Sequence, residues 1–308
     1  MIGIQDLSKS YGKMHALKNL TLEIEKGTVF GFVGPNGAGK STTMSILATL
    51  LAPTSGTAYV GGYEVTKHPK EVRRLIGYMP DFFGVYDNLT AYEYLDFYGA
   101  SYGIAQAERQ QIIPQLLELV NLTQKRDAYV DSLSRGMKQR LGLARCLVHD
   151  PEVLLLDEPA SGLDPRARIE LREILKELRN MGKTILISSH ILPELAEMCD
   201  VIGIIEAGEL IAFGNVDEIH ARMQGQKLLK IRLLGRLEEA EDSLKEHPLV
   251  TTVSRQQQTL FAGFTGADEE QAALLAQLIQ AGYPLASFGE TEGNLEEIFL
   301  EVTKGVGT

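Results

Sequence analysis

The chain has 308 residues, 44% hydrophobic and 23% charged, which is the make-up of a globular protein with a real core in one large domain or two modest ones. Lys and Arg number 30 against 41 Asp and Glu, a net charge of −11, and that balance argues against a nucleic-acid partner, whose binding rests on neutralised phosphates. Cys146 and Cys199 have neither metal-ligand nor disulfide-framework spacing, no secretory signal is visible at the start, and no apolar run approaches the roughly 20 residues that span a bilayer. No direct membrane span is therefore expected, and if the protein serves a membrane another chain crosses it.

In chain order, residues 2–7 and 20–24 read as strands split by a polar loop, Ser8 to Lys13. Glu25-Lys26-Gly27 is a turn into a short apolar strand, Thr28 to Val33. A helical pattern opens at Thr42 and stops before Pro53-Thr54-Ser55-Gly56. Thr57–Val60 and Ile76–Met79 read as further strands, and from Thr90 to about Val148 the apolar spacing is helical. Val153–Leu156 is a buried strand, Pro165–Met181 an amphipathic helix stopped by Gly182, Thr184–Ser188 a strand and Ile191–Met198 a helix. Val201–Ile205 and Leu210–Phe213 pair across Ala207-Gly208.

After Ala221 to Gln226 the character changes. Strands are expected at Leu228–Leu234, Leu249–Ser254, Thr259–Phe264 and Pro284–Phe288, with helices at Leu237–Glu246, Asp268–Ala281 and Leu295–Thr303. The βαββαβ order predicts a small α+β sandwich of ferredoxin-like type.

Gly34-Pro35-Asn36-Gly37-Ala38-Gly39-Lys40-Ser41 has the spacing G-x-x-x-x-G-K-[ST] of a phosphate-binding loop, and it sits between a strand and a helix that opens with Thr42. Glycines let backbone N–H groups face phosphate oxygens, and the helix end adds positive potential. Lys40 supplies a mobile charge for the outer phosphates, and the Ser41 hydroxyl suits Mg2+. Downstream, the strand Val153–Leu156 ends in Asp157 and Glu158. A carboxylate at a strand tip beside such a loop can hold Mg2+, which points to Asp157; Glu158, aimed differently, can polarise an attacking water. The bland alternative for the pair is a strand meeting solvent.

Leu133-Ser134-Arg135-Gly136-Met137-Lys138-Gln139-Arg140 completes the pattern. Here the chain resembles the ATP-binding subunits of ATP-binding cassette transporters, whose signature reads L-S-G-G-Q and then Q-Q-R. Arg135 stands for a glycine and Met137 for a glutamine. The resemblance implies that Ser134 and Gly136 meet the γ-phosphate at a helix N-terminus, although a helix cap also explains Ser134. Ser161-Gly162-Leu163-Asp164 resembles the family's D-loop, which contacts the partner's site, and Ser188-Ser189-His190 its switch histidine. Tyr11 stands at the adenine-stacking position. Ile76 to Asp81 resembles the Q-loop region, with Asp81 where glutamine is usual. The charge of Asp81 is tolerable there only if it faces Mg2+, a bound water or a cation on the permease, so Asp81 joins Ser41 and Asp157 as a candidate for Mg2+; otherwise it caps the turn that follows. Gly293 to Leu300 resembles the carboxyl end of exporter ATPase subunits that work with a separate permease.

The resemblance implies an α/β P-loop NTPase cassette over residues 1–222. It has a RecA-like core, an antiparallel β subdomain and a helical subdomain at about 90–148, and a small accessory or regulatory domain follows at 228–308. The implied activity is ATP hydrolysis with Mg2+, catalysed by Lys40, Glu158 and His190. The expected partners are a transmembrane permease and a second cassette, as a homodimer or a heterodimer. The expected place is the cytoplasmic side of the cell membrane, reached through the permease. Two other readings compete: a soluble cassette ATPase acting on nucleic acid or the ribosome, and a P-loop kinase or GTPase. The latter leaves Leu133–Arg140 and His190 unexplained.

Overall fold

A computed structural model describes residues 1–81, 88–215 and 227–291. The chain divides into two compact units, Met1–Gly214 and Asn215–Thr308.

The first unit is built on two sheets. Six strands form the central one, β3 (Val29–Val33), β6 (Ile76–Met79), β7 (Val153–Leu156), β8 (Thr184–Ser189), β9 (Val201–Glu206) and β10 (Glu209–Asn215), in the order β10-β9-β3-β8-β7-β6. The pairs β3·β8, β3·β9, β7·β8 and β6·β7 are parallel. Parallel strands covered on both faces need continuous apolar runs, and β3, β7 and β8 are buried at every position.

The second sheet has the order β2-β1-β4-β5, from β1 (Ile2–Tyr11), β2 (Met14–Ile24), β4 (Ser55–Val60) and β5 (Tyr63–Glu64). The stretch from Ser8 to Tyr11, expected as loop, is strand. Ser10 faces His15 and Tyr11 faces Met14 across a turn at Gly12, φ +59°. Its polar side chains find partners on the neighbouring strand: Ser8 Oγ donates to Asn19 Oδ1 at 3.0 Å, and Ser10 Oγ meets His15 Nδ1 at 2.9 Å. Composition alone does not show such pairing. One core joins the sheets, with Ile2, Leu7 and Leu17 in the same cluster as Phe30, Met44 and Leu155.

Helices close the unit. α1 (Lys40–Leu47) follows β3, and α2 (Pro69–Leu75) precedes β6. The stretch expected as helical holds α3 (Ala91–Ser101), α4 (Gln106–Leu119) and α5 (Arg135–Leu147), with short 3₁₀ turns between α4 and α5. α3 starts at a capping box, Thr90 with Glu93. α6 (Pro165–Asn180) buries Leu171, Ile174, Leu175 and Leu178, one face of a 3.6-residue period, and Gly182 follows it at φ +84°. α7 (Leu192–Ala196) is shorter than expected.

In the second unit, β11 (Lys227–Leu233), α8 (Leu237–Lys245), β12 (Val250–Gln256), β13 (Thr259–Phe264), α9 (Asp268–Gln280) and β14 (Leu285–Thr291) follow in turn. The sheet order is β12-β13-β11-β14, with its three neighbouring pairs antiparallel, and Leu229, Ile231, Leu244, Leu260, Phe264 and Leu274 share its core. This is the ferredoxin-like order. The expected last helix, Leu295–Thr303, and the Gly293–Leu300 resemblance lie outside the described residues.

Candidate nucleotide site

The site forms where β3, β7 and β8 end. The phosphate-loop segment leaves β3 at Gly34 and returns into α1 at Lys40. Three tethers hold it. Gly34 N–H donates to Ser189 O at 3.3 Å, Ala38 N–H to Pro35 O at 3.1 Å, and Ala38 O accepts from Gly208 N–H at 3.0 Å. Its glycines serve different needs. A Cβ on Gly34 would lie 2.3 Å from Ile205 O, so nothing but glycine fits there. Gly39 is left-handed at φ +112°, and a Cβ on it would meet Ala16 O at 2.7 Å. Pro35, Asn36 and Gly37 form the exposed crest, while Ala38 and Gly39 are buried. Because the residue before α1 is a glycine, no side chain caps that helix. Its first N–H groups are thus free to face an anion.

Lys40 points back along this loop. Its Nζ donates to Gly34 O at 2.6 Å and to Pro35 O at 3.3 Å, and it lies 3.4 Å from Glu158 Oε1. Both side chains are largely buried, so the pair is only weakly screened by solvent. Ser41 and Thr42, in the first turn of α1, are exposed and half-buried respectively.

The adjacent carboxylates diverge because their backbones differ. Asp157 prolongs β7 and its N–H donates to Met79 O at 2.8 Å. Glu158 adopts φ +50°, a left-handed value that side chains rarely take and that turns its carboxylate away from its neighbour's direction. Ser188 fixes both. Its Oγ donates to Asp157 Oδ1 at 2.6 Å and accepts from Glu158 N–H at 2.9 Å. Sequence reasoning gave Ser188 no such role. Its signal was the hydroxyl at the end of a strand adjoining β7 in the sheet. Glu158 Oε2 lies 2.9 Å from His190 Nδ1, and that imidazole is 44% exposed. Lys40, Glu158 and His190 thus form one contiguous set with Asp157 alongside.

Asp81, just past β6, enters the field of this set. Burial raises its carboxyl above the ordinary range, the charges of Asp157 and Glu158 add to that, and Arg135 and His190 oppose it. Arg135 is folded over the D-loop segment: a Cβ on Gly162, φ +66°, would lie 2.7 Å from its guanidinium carbon. Arg135 and Asp81, two of the three residues that depart from the family pattern, therefore act on each other through their charges.

The remaining candidates stand further out. Ser134 caps α5, its Oγ accepting from Met137 N–H at 3.3 Å, and Gly136 packs toward Ala167. Asp164 caps α6, accepting from Ala167 N–H at 2.8 Å. Tyr11 is 47% exposed at the end of β1, with Lys9 Nζ 5.3 Å from its ring centre. No hydrogen bond or ion pair among the described residues joins Tyr11, Ser134, Gly136 or Asp164 to Lys40, Glu158 or His190.

The donors suit Mg2+. Asp157 has one oxygen committed to Ser188, and Ser41 offers an exposed hydroxyl in the first turn of α1. Among the described residues, no three His, Cys, Asp or Glu side chains could hold a metal by themselves. Mg2+ favours such a sparse oxygen set, one or two carboxylates completed by substrate phosphates and water.

A phosphate loop before a helix, a carboxylate pair on the next strand but one and a histidine at the strand between define a P-loop NTPase of cassette type. Residues 17–161 match the ABC transporter family, and residues 214–303 match the C-terminal domain of ATP-binding proteins like DrrA1-3. The chain is 34% identical over 305 residues to the linearmycin resistance ATP-binding protein LnrL of Bacillus subtilis, covering 98% of each chain. It is 35% identical to the daunorubicin/doxorubicin resistance ATP-binding protein DrrA of Streptomyces peucetius, over 96% of this chain and 90% of that one. A solved dimeric ATP-binding cassette, in a post-hydrolysis state bound to ADP and Pi, superposes with a TM-score of 0.65 at 26% identity, over 70% of this chain and 99% of that one. The chain belongs to the ABC transporter family, as an ATP-binding subunit that hydrolyses ATP. These relatives do not favour the nucleic-acid or ribosome reading. No helix among the described residues is long and apolar enough to cross a membrane.

Proposed function

We propose that the chain powers an exporter by hydrolysing ATP between two cassettes that dock on a separate membrane permease, at the cytoplasmic face of the membrane. The second cassette is a copy of this chain or a related subunit, and nucleic acid is not a partner. The observation that carries this reading is the contiguous Lys40–Glu158–His190 set at 3.4 and 2.9 Å, beside a Ser188-pinned Asp157. The direction of transport rests on the resistance proteins among its relatives.

In this reading Gly34 to Thr42 wrap the phosphates, and Lys40 leaves the loop carbonyls to balance their charge. Tyr11 offers its ring to the base. Ser41 and Asp157 would hold Mg2+, Asp81 would serve it directly or through water, and the ion would offset phosphate charge. Glu158 takes a proton from the attacking water, and its burial beside Lys40 keeps it a directed acceptor. His190 exchanges Glu158 for the outer phosphate. Ser134, Gly136 and Asp164 act across the interface on the second cassette's site. Residues 228–308 form an accessory unit that tunes the dimer or its coupling to the permease. Domain limits at 1–222 and 228–308 belong to the same proposal.

The test is gel filtration of Glu158→Gln with ATP and Mg2+. The amide keeps the shape and cannot act as a base, so an ATP-bound dimer should accumulate. A strictly monomeric variant at micromolar concentration would count against the sandwich.

A further inference from the structure

Apart from the Ser188 contacts and the ion pair of Arg172 Nη1 with Glu197 Oε2 at 2.8 Å, the segment after Glu158 and the segment carrying His190 are joined twice. One link is the 2.9 Å contact between His190 Nδ1 and Glu158 Oε2. The other lies between the first turns of α6 and α7, where Arg168 Nη1 approaches Glu194 Oε1 at 2.9 Å. Arg168 also grips the first segment directly, its Nε donating to Leu163 O at 3.1 Å. From Leu163 the chain returns to Glu158 through two tight turns, Leu163 N–H to Ala160 O at 3.2 Å and Ser161 N–H to Glu158 O at 3.0 Å. A displacement at Leu163 thus reaches the base through short, bonded steps.

The Arg168–Glu194 link is not an ordinary surface ion pair. The Glu194 side chain is 9% exposed, and no aligned hydrogen bond reaches its Oε1, so the attraction to Arg168 is Coulombic. Burial raises the Glu194 carboxyl above its usual range; Arg168 and then His190 oppose this, while Glu158 adds to it. Glu194 therefore stands within the electrostatic reach of both residues that are proposed to act on ATP, without a hydrogen bond or ion pair to either.

We infer that Arg168 and Glu194 are positioning residues for hydrolysis, holding the Glu158 segment against the His190 segment while His190 is engaged with phosphate. This rests on the roles proposed above for Glu158 and His190. When His190 turns from Glu158 to the phosphate, the first link opens. The second then remains, with the Ser188 hydroxyl on Glu158 N–H, to keep the base at its working distance from the substrate. Losing that tie affects the rate of the chemical step and leaves nucleotide capture by the Gly34–Ser41 loop intact.

The experiment uses the full chain. Steady-state ATPase, equilibrium binding of a fluorescent ATP analogue and thermal melts are compared for Glu194→Gln, Arg168→Gln, Arg168→Lys, the Gln/Gln double variant and Glu158→Gln. Each single Gln variant should lose on the order of tenfold in kcat, because small misplacements of a catalytic group are costly. KM and ATP affinity should stay within about twofold, the mark of an interaction that matters in the transition state only. The double variant should be no slower than the worse single one, and Arg168→Lys should recover part of the rate. Unchanged kcat in Glu194→Gln, or losses that multiply in the double variant, would overturn the inference. Should Arg168→Gln melt below the assay temperature, Glu194→Gln decides alone, since it keeps size and removes a single charge. Full turnover in Glu158→Gln would instead sink the role of Glu158 itself, whereas an inactive Glu158→Gln with a fully active Glu194→Gln sinks the positioning role alone.

Discussion

Two helices of the cassette begin at sequence motifs, and they begin differently. α1 starts after Gly39, which has no side chain to offer its first N–H groups. α5 starts after Ser134, whose hydroxyl already accepts from Met137. The first helix end is left open, and an anion is what completes it. The second is complete within its own chain, so any contact Ser134 makes with phosphate comes in addition to a structural duty. α6, capped by Asp164, resembles α5 in this respect. The difference separates residues whose loss should abolish nucleotide chemistry from residues whose loss should first weaken a helix.

The largest expected effect is at the open end. Lys40→Ala should lower ATP turnover by about a hundredfold or more, as when one preorganised charge-stabilising donor is removed, measured as phosphate release with the fold verified by circular dichroism. Near-normal turnover would remove Lys40 from the chemistry. Gly34→Ala should come next. Its Cβ would press on Ile205 O, costing about 1–3 kcal/mol in urea unfolding and impairing ATP binding. Gly37→Ala, where the space is open and the backbone alone objects at φ +85°, should cost only about 1 kcal/mol. Equal losses at the two glycines would contradict the packing argument for Gly34.

At the capped end the effects are smaller and separable. Ser134→Ala should cost about 1 kcal/mol of stability through the lost cap. Ser134→Asp keeps a capping oxygen and brings a negative charge, so its melt should match the parent while its ATPase falls. An undiminished ATPase in Ser134→Asp would confine Ser134 to capping.

The smallest effect lies past the far end of α5, at His149. Its ring stacks on Tyr102 with centroids 3.8 Å apart, and its Nε2 lies 2.9 Å from Ile76 O. Burial depresses its pKa below the ordinary value of 6.5, with the Ile76 contact opposing. A depressed histidine adds stability above pH 6.5 that is lost as the pH falls through the lowered value. His149→Gln should therefore flatten the decline in melting temperature between pH 7.5 and mildly acid pH. The α1 end should not respond.

Much of this contrast was readable beforehand, and the reasons are local. β7 occupies Val153–Leu156 as the apolar run predicts, and α6 follows its 3.6-residue stripe from Pro165. The phosphate-loop spacing located the open helix end. What stayed hidden depends on distant pairing. The far half of β1 is strand because β2 supplies partners for its serines. Ser188 holds Asp157 from 31 residues away, and Glu158 turns at a backbone angle that no side-chain pattern announces. Arg135 reads as a missing glycine in the sequence, and only the fold lays it over Gly162.

Glu158, held between Lys40 and His190, is the proposed base for ATP hydrolysis. Single-turnover hydrolysis by Glu158→Gln, with enzyme in excess over ATP and Mg2+ present, tests it most directly. ATP should bind as in the parent, and the hydrolysis rate should fall by about a hundredfold or more, within the range for a lost general base. Hydrolysis at the parent rate would contradict it.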